Sequence, residues 1–197
     1  MGAPIAHQLI ADGFEVSVWD RSTDRAAALV DAGARLASSP AEAAEGAAVV
    51  LTMLMDGEAV AAARTHQIEF VDAPVSGGDG PAREGKLVVL ASGPEGIRPL
   101  VEPVFDAIGQ KTVWLGPAGY GTRLKLVLNN WLVSQVEAVA ETIALTEALG
   151  LDPRLFIETV GDGPLASPYA MAKAQAMVDG EDLAAVISVA SPPAGAA

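Results

Sequence analysis

Helical and strand-like spacings of apolar residues alternate along the first 115 residues of the chain. Ile5 and Leu9 recur at helical spacing and predict a helix from 2 to 12, which Gly13 ends as a cap. The same patterns predict strands at 15–20, 47–54, 68–72, 86–91 and 112–115, and helices at 23–32, after Ser39-Pro40, within 56–67 and at 94–108. Helices alternating with apolar strands are typical of an α/β fold with a parallel sheet.

The pattern changes after residue 116. A turn-rich segment, 117–121, precedes an apolar periodic stretch that predicts one helix of about 30 residues, ending near Leu149. Asp152-Pro153 and Ser167-Pro168 each predict the start of a further helix. The sequence therefore predicts an all-α part behind the α/β part.

These patterns predict three parts of the chain. We expect an incomplete α/β domain at 1–116, a partial all-α domain at 117–180 and a disordered tail at 181–197. The tail expectation depends on Ser191-Pro192-Pro193-Ala194-Gly195-Ala196-Ala197, which has no residue suited to a core.

Composition narrows the possible functions. The 197 residues carry 25 acidic and 12 basic side chains, a net charge of −13, which argues against a nucleic-acid partner. The absence of cysteine excludes disulfides and thiol chemistry, and His7 and His66 lack ligand-like spacing, so we expect no metal site. No apolar run is long enough to cross a membrane and no signal-peptide pattern is present, so we expect a cytoplasmic protein without membrane contact.

Gly2 and Asp20 form the first candidate site. Gly2 opens the first predicted helix and Asp20 ends the first predicted strand. In dinucleotide-binding folds a glycine opens the helix that faces the pyrophosphate, and an acidic residue about 20 positions later binds the ribose. A helix-start glycine and a capping aspartate explain the same pair without any ligand.

Ser76-Gly77-Gly78 is the second candidate, directly after a predicted strand. Such a turn leaves N–H groups and a hydroxyl free to bind an anion, for example a carboxylate. A plain surface loop is the alternative.

Gly121, Lys125 and Asn129 are the third candidate, because a spacing of four places them on one face of the long helix. Lys125 lies among apolar residues, and partial desolvation would lower its pKa into the range of acid/base catalysis. The alternative is a lysine whose stem covers apolar surface while its ammonium stays in water.

Read in order, five segments resemble the β-hydroxyacid dehydrogenases, the family of 3-hydroxyisobutyrate dehydrogenase and 6-phosphogluconate dehydrogenase. They are Met-Gly-x-Pro-x-Ala, Val-x-Val-Trp-Asp-Arg, Leu-Thr-Met-Leu-Met-Asp-Gly, Phe-Val-Asp-Ala-Pro-Val-Ser-Gly-Gly and Lys-Leu-Val-Leu-Asn-Asn. The resemblance implies a Rossmann-like, mostly parallel sheet, a long interdomain helix and an all-α domain that pairs subunits into a homodimer or homotetramer. It also implies NAD- or NADP-linked oxidation of a small 3-hydroxy acid, or the reverse reduction.

The resemblance also implies roles for individual residues. Lys125 would be the catalytic acid/base, while Asn129 and the loop Ser76, Gly77 and Gly78 would bind the substrate. Gly2, Asp20, Arg21, Ser22, Leu54 and Met55 would contact the cofactor. Asp20 favours the free ribose hydroxyls of NAD, whereas Arg21 and Ser22 could accept the 2′-phosphate of NADP, and the balance leans to NAD.

The chain also departs from the family pattern. The first strand and the two leading glycines of the phosphate loop are missing, a segment between Asp56 and Ile68 is short, and the all-α domain is partial. These departures leave two alternatives to an active dehydrogenase. One is an inactive remnant with a binding or structural role, and the other is a related imine or keto-acid reductase, against which Lys125 argues.

Overall fold

The structure is a computed structural model that describes residues 1–53, 68–161 and 163–181. The chain divides into two compact units, Met1–Leu126 and Val127–Ala197. The expected domain boundaries at 116 and 180 remain predictions.

In the first unit, the helices are α1 (Gly2–Ala11), α2 (Thr23–Asp31), α3 (Pro40–Ala44), α4 (Asp79–Arg83) and α5 (Arg98–Ile108), with a 3₁₀ turn at Glu95–Ile97. The strands are β1 (Ser17–Val18), β2 (Arg35–Leu36), β3 (Val75–Ser76), β4 (Leu87–Ala91) and β5 (Gly109–Trp114). Helix α6 (Tyr120–Ala148) begins in the first unit, and α7 (Pro153–Val160) and α8 (Pro168–Val178) belong to the second.

The strands form two small sheets. β1 and β2 pair in parallel, whereas β4 is central in the other sheet, antiparallel to β3 and parallel to β5. Four of the five β4 side chains are buried, which agrees with the apolar run that predicted this strand. The α/β class with mostly parallel pairing is confirmed.

Two predicted strands are wrong in detail. Residues 47–53, the described part of the predicted strand 47–54, have no ladder partner among the described residues, and Val50 stays 59% exposed. The predicted strand 68–72 is reduced to a single bridge between Asp72 and Ser92. An apolar run indicates a tendency to be buried, but a strand forms only where a neighbouring strand supplies hydrogen bonds.

Between Asp72 and Lys86 the structure contains more than the predicted loop. Val75 and Ser76 form β3, and α4 follows it. Both elements escaped prediction because each is too short to show a periodic pattern. Helix α4 connects β3 to β4, and the two strands pair in the antiparallel direction.

The core of the first unit lies between the β3–β4–β5 sheet and helices α1 and α5. Its buried side chains are Ile5, Leu9, Ala82, Leu87, Val89, Ala91, Val101, Val104, Phe105 and Ile108. In the second unit, Val139 of α6 packs with Ala170 and Ala174 of α8. Ser167 caps α8 by accepting from the Ala170 N–H, as the Ser-Pro start signal predicts.

Candidate active site

Gly121 brings the first turn of α6 against the backbone of the β4 sheet. A Cβ atom built on Gly121 would lie 2.2 Å from the Leu90 carbonyl oxygen and 2.9 Å from that of Asp72. Only a residue without a side chain fits there, so the glycine sets how closely the helix approaches the end of β4.

A polar network holds the same helix end. Asp72 Oδ2 accepts from the Thr122 N–H at 2.8 Å, and Asp72 Oδ1 accepts from the Thr122 hydroxyl at 2.7 Å. The buried Ser92 Oγ accepts from the Gly121 N–H at 2.9 Å and lies 3.2 Å from Asp72 Oδ2. Since the first N–H groups of a helix have no partner inside the helix, Asp72 and Ser92 together cap α6.

Lys125 follows Gly121 by one helical turn. Its side chain is half-buried, and desolvation lowers the pKa of its ammonium below the usual value of 10.5. Among the described residues it has no ion-pair partner that would stabilise the charged form. A larger fraction of neutral amine therefore exists near neutral pH than for an exposed lysine, which suits proton transfer.

The predicted substrate-binding residues lie in different settings. Ser76 is a half-buried residue of β3, Gly77 and Gly78 form the exposed turn after it, and Asn129 is exposed on α6. Gly77 has a φ of +133°, and a Cβ there would lie 2.8 Å from Leu87 Cδ2. The turn is thus held in a shape that glycine permits, but within the described residues no hydrogen bond joins it to Lys125.

Asp20 and Arg21 line a second feature, the β1–β2 cavity, a depression of about 520 Å³. Its lining residues are Trp19, Asp20, Arg21, Leu36, Ala37, Ser38 and Glu42. Asp20 Oδ1 accepts from the Ser22 N–H at 2.8 Å, and Ser22 is the N-cap residue of α2. The cavity lies where both parallel strands end, which is the edge where α/β folds bind nucleotides.

Gly2 is the first residue of α1, where a Cβ would touch the Met53 side chain at 3.6 Å without clashing. Leu54 and Met55, the other expected cofactor contacts, lie outside the described residues. The roles of Asp72 and Ser92 in capping α6 are not visible in the sequence alone. Locally, the sequence shows only that Asp72 follows the apolar pair Phe70-Val71. Its capping role escapes a local pattern because its partner Thr122 is 50 residues away.

Two further observations concern the described ranges alone. No group of three or more histidine and carboxylate side chains there is arranged to hold a metal ion. Within the same ranges, no helix combines the length and the hydropathy that crossing a bilayer requires.

Comparison with known proteins decides the family. Residues 1–64 and 58–116 match the sequence model for the NAD binding domain of 6-phosphogluconate dehydrogenase. The chain belongs to the β-hydroxyacid dehydrogenase family. It is therefore a member of a family of oxidoreductases that use NAD or NADP, as the sequence resemblance implied.

Relatives within the family differ in their substrates. The chain is 30% identical to glyoxylate/succinic semialdehyde reductase 2, chloroplastic, of Arabidopsis thaliana, over 90% of this chain and 60% of the relative. It is 32% identical to the probable 3-hydroxyisobutyrate dehydrogenase-like 2, mitochondrial, of the same plant, over 85% and 67%. The structure resembles Mycobacterium tuberculosis 3-hydroxyisobutyrate dehydrogenase with L-serine, with a TM-score of 0.75 and 27% identity, covering 86% of this chain and 69% of that one.

The chain spans 60% to 73% of the length of the two glyoxylate/succinic semialdehyde reductases it matches. The matched domain and the family follow from these comparisons, whereas the reaction of this particular chain is a matter for proposal.

Proposed function

We propose that this protein is an NAD(P)-dependent oxidoreductase that oxidises a small 3-hydroxy acid, with Lys125 as the acid/base. The observation that carries the proposal is the half-buried Lys125 with its lowered pKa, one turn from the anchored start of α6. The L-serine named with the tuberculosis relative is itself a 3-hydroxy acid and supports this substrate class.

The residues present fit the adenosine side of a dinucleotide. Asp20 has one carboxylate oxygen engaged by the Ser22 N–H, and its second oxygen can accept from ribose hydroxyls. Gly2 opens α1, whose first N–H groups have no partner within the helix and suit a phosphate. When bound, the nicotinamide supplies the hydride acceptor for oxidation and the hydride donor for reduction.

Lys125 would move the proton in this reaction. In oxidation, the neutral Nζ accepts the hydroxyl proton of the substrate as its C–OH becomes C=O and the hydride leaves the same carbon. In reduction, the protonated Nζ returns that proton to the forming hydroxyl. Partial burial favours the neutral amine and so assists the oxidation.

The Ser76–Gly78 turn and Asn129 would position the substrate. The Ser76 hydroxyl and the backbone N–H groups of Gly77 and Gly78 can donate to a carboxylate, and the Gly77 conformation holds the turn in shape. Asn129 follows Lys125 by one turn on α6 and can hydrogen-bond to substrate or lysine. The part of the chain beyond α6 would serve subunit pairing in a homodimer or homotetramer.

A second candidate is the opposite net direction, the reduction of a small aldehyde such as succinic semialdehyde or glyoxylate. It is favoured by the 30% identity to the Arabidopsis reductase. Lys125 can transfer the proton in both directions, so the two candidate functions differ in their substrate and not in their catalytic residue.

The test combines cofactor binding with turnover. The 197-residue chain is titrated with NADH and NADPH by nicotinamide fluorescence, and 3-hydroxyisobutyrate, L-serine, succinic semialdehyde and glyoxylate are assayed. We expect saturable binding, and a kcat lowered at least about 100-fold in Lys125→Ala with little change in cofactor Kd. The exposed Lys111 supplies the control, and Lys111→Ala should behave as wild type.

Binding without turnover of any substrate would contradict the dehydrogenase and favour the binding or structural role. Turnover that survives in Lys125→Ala would remove the lysine from the mechanism.

A further inference from the structure

The segment that leads to β3 is fixed along β4 before it reaches the predicted substrate-binding turn. Asp72 and Ser92 exchange two backbone hydrogen bonds, each of 2.8 Å. The Leu90 N–H donates to the Pro74 carbonyl oxygen at 2.9 Å, and the pairing with β4 continues to Ser76 in β3. Because the ladder extends from Asp72 to Ser76, the buried strand β4 sets where the turn begins.

The start of α6 is docked on that same segment. A Cβ atom built on Gly121 would lie 2.9 Å from the Asp72 carbonyl oxygen and 3.0 Å from Pro74 Cδ. The next residue, Thr122, donates its N–H and its hydroxyl to the Asp72 carboxylate. Lys125 follows Thr122 by three residues, a rise of about 4.5 Å within one continuous helix. The backbone of Asp72 thus belongs to the segment that carries the turn, while its carboxylate binds the helix that carries the lysine.

The side chain of Asp72 restricts a movement that the close packing of Gly121 leaves open. The glycine limits how near α6 can come to the sheet, but a residue without a side chain offers little resistance to rotation of the helix about its axis. The two hydrogen bonds from Thr122, at 2.8 Å and 2.7 Å, attach one side of the first turn to Asp72. Residues three apart are neighbours on a helix surface, so a rotation that displaces Lys125 must also break these bonds.

We propose that Asp72 is a positioning residue that holds Lys125 in register with the Ser76–Gly78 turn, so that the lysine meets the hydroxyl of a substrate bound by the turn. The inference rests on the proposed function, because Lys125 and the turn have their roles only in that reaction. Asp72 acts through Thr122 and not by contact with the substrate. A misplacement of about 1 Å between reacting groups can lower a rate about 100-fold, so the effect falls on turnover and not on cofactor binding.

Two variants of Asp72 test this role against matched controls. Asp72→Ala removes both acceptors, whereas Asp72→Asn keeps one. Asp106 is exposed on α5, so Asp106→Ala and Asp106→Asn make the same changes outside the network. Oxidation of 3-hydroxyisobutyrate and L-serine is assayed with NAD and NADP. Each kcat is expressed per cofactor-binding site, counted by titration with NADH or NADPH, so unfolded molecules do not enter the rate.

A second pair of variants keeps the test valid if Asp72→Ala fails to fold. Thr122 is exposed, so Thr122→Val loses one hydrogen bond without opening a cavity, and Thr122→Ser keeps both donors. Thr112→Val removes a hydroxyl from β5 and serves as the control. The double variant Asp72→Ala/Lys125→Ala shows whether Asp72 acts through the lysine, because two residues that act as a unit are not additive.

We expect kcat per binding site to fall at least about tenfold in Asp72→Ala and about threefold in Thr122→Val, with the cofactor Kd unchanged. Asp72→Asn and Thr122→Ser should stay within about twofold of wild type, because each keeps a hydrogen bond between α6 and residue 72. Both Asp106 variants and Thr112→Val should match wild type. Asp72→Ala should have no further effect on the residual rate of Lys125→Ala.

A role in stability alone would lower the melting temperature and leave kcat per binding site unchanged. That result would overturn the inference, while the loss of turnover in Lys125→Ala would still support the proposed function. A full further loss in the double variant would overturn it as well, because Asp72 would then act on something other than the lysine. If wild type turned over neither substrate with either cofactor, the proposed oxidation and the inference would both fail.

Discussion

Asp72 caps helix α6 from 50 residues away, by accepting hydrogen bonds from both the N–H and the hydroxyl of Thr122. The distances are 2.8 Å and 2.7 Å, and the carboxylate also meets the favourable end of the helix dipole. The contact ties the segment before β3 to the helix that carries Lys125. The geometry of the candidate active site therefore depends on it.

Removing this cap should destabilise the first unit. We expect Asp72→Ala to lower the free energy of unfolding by about 2 kcal/mol, because it leaves the Thr122 N–H and hydroxyl without acceptors. Urea unfolding followed by circular dichroism measures the loss. Asp72→Asn keeps an acceptor for the N–H and should lose less than about 1 kcal/mol. Equal losses in both variants would mean that the carboxylate charge, and not the hydrogen bond, carries the effect.

The buried hydroxyl of Ser92 should contribute to stability chiefly as the acceptor for the Gly121 N–H. Its side chain is fully buried, and Ser92→Ala leaves the Gly121 N–H without its acceptor. We expect a loss of about 1–3 kcal/mol in the same urea experiment. Ser134 is exposed on α6, and Ser134→Ala should change stability by less than about 0.5 kcal/mol. A neutral Ser92→Ala would show that water or a backbone shift replaces the bond.

Gly121 tests the close approach of α6 to β4. The methyl group of Gly121→Ala would lie 2.2 Å from the Leu90 carbonyl oxygen, so the helix must move away from the sheet. We expect a loss of about 3 kcal/mol, measured by thermal and urea unfolding. Gly96 has open space around a built Cβ, and Gly96→Ala should stay within about 0.5 kcal/mol of wild type.

Lys125 should impose a pH dependence on the rate. Oxidation requires the neutral amine, so its kcat/KM should rise with pH and level off above the lysine pKa, which burial places below 10.5. Reduction requires the ammonium and should fall over the same range. Initial rates measured in both directions give these two pH profiles, and any residual rate of Lys125→Ala should not show the same pH dependence. A pH dependence that persists in that variant would arise from the titration of another residue.

The same lysine should cost stability at neutral pH. Its pKa is lower in the folded protein than in the unfolded chain, so its protonation favours the unfolded chain at neutral pH. This penalty shrinks as pH rises from the folded pKa and is gone above 10.5, where both states hold the neutral amine. Lys125→Met should therefore be more stable than wild type at pH 7, with the gain decreasing towards pH 10. Melting temperatures measured across this pH range test the prediction, and a stability gain that increases with pH would contradict it.

Local chemistry explains which elements the sequence predicts well. The start of α3 at Ser39-Pro40 and that of α8 at Ser167-Pro168 are visible because a capping hydroxyl and a proline act within one turn. The buried strand β4 and the long helix α6 are visible because their periodicity extends over many residues. The same local order of motifs is sufficient to indicate the family.

Only the tertiary structure shows the features that depend on contacts between residues far apart in sequence. Residues 47–53 have the apolar character of a strand, yet pairing determines strands and none of the described residues pairs with them. β3 runs antiparallel because the chain turns back through α4. The cap that Asp72 provides for Thr122 and the hydrogen bond from Arg35 Nε to Ser17 Oγ each join residues far apart in sequence, and no local pattern encodes such contacts.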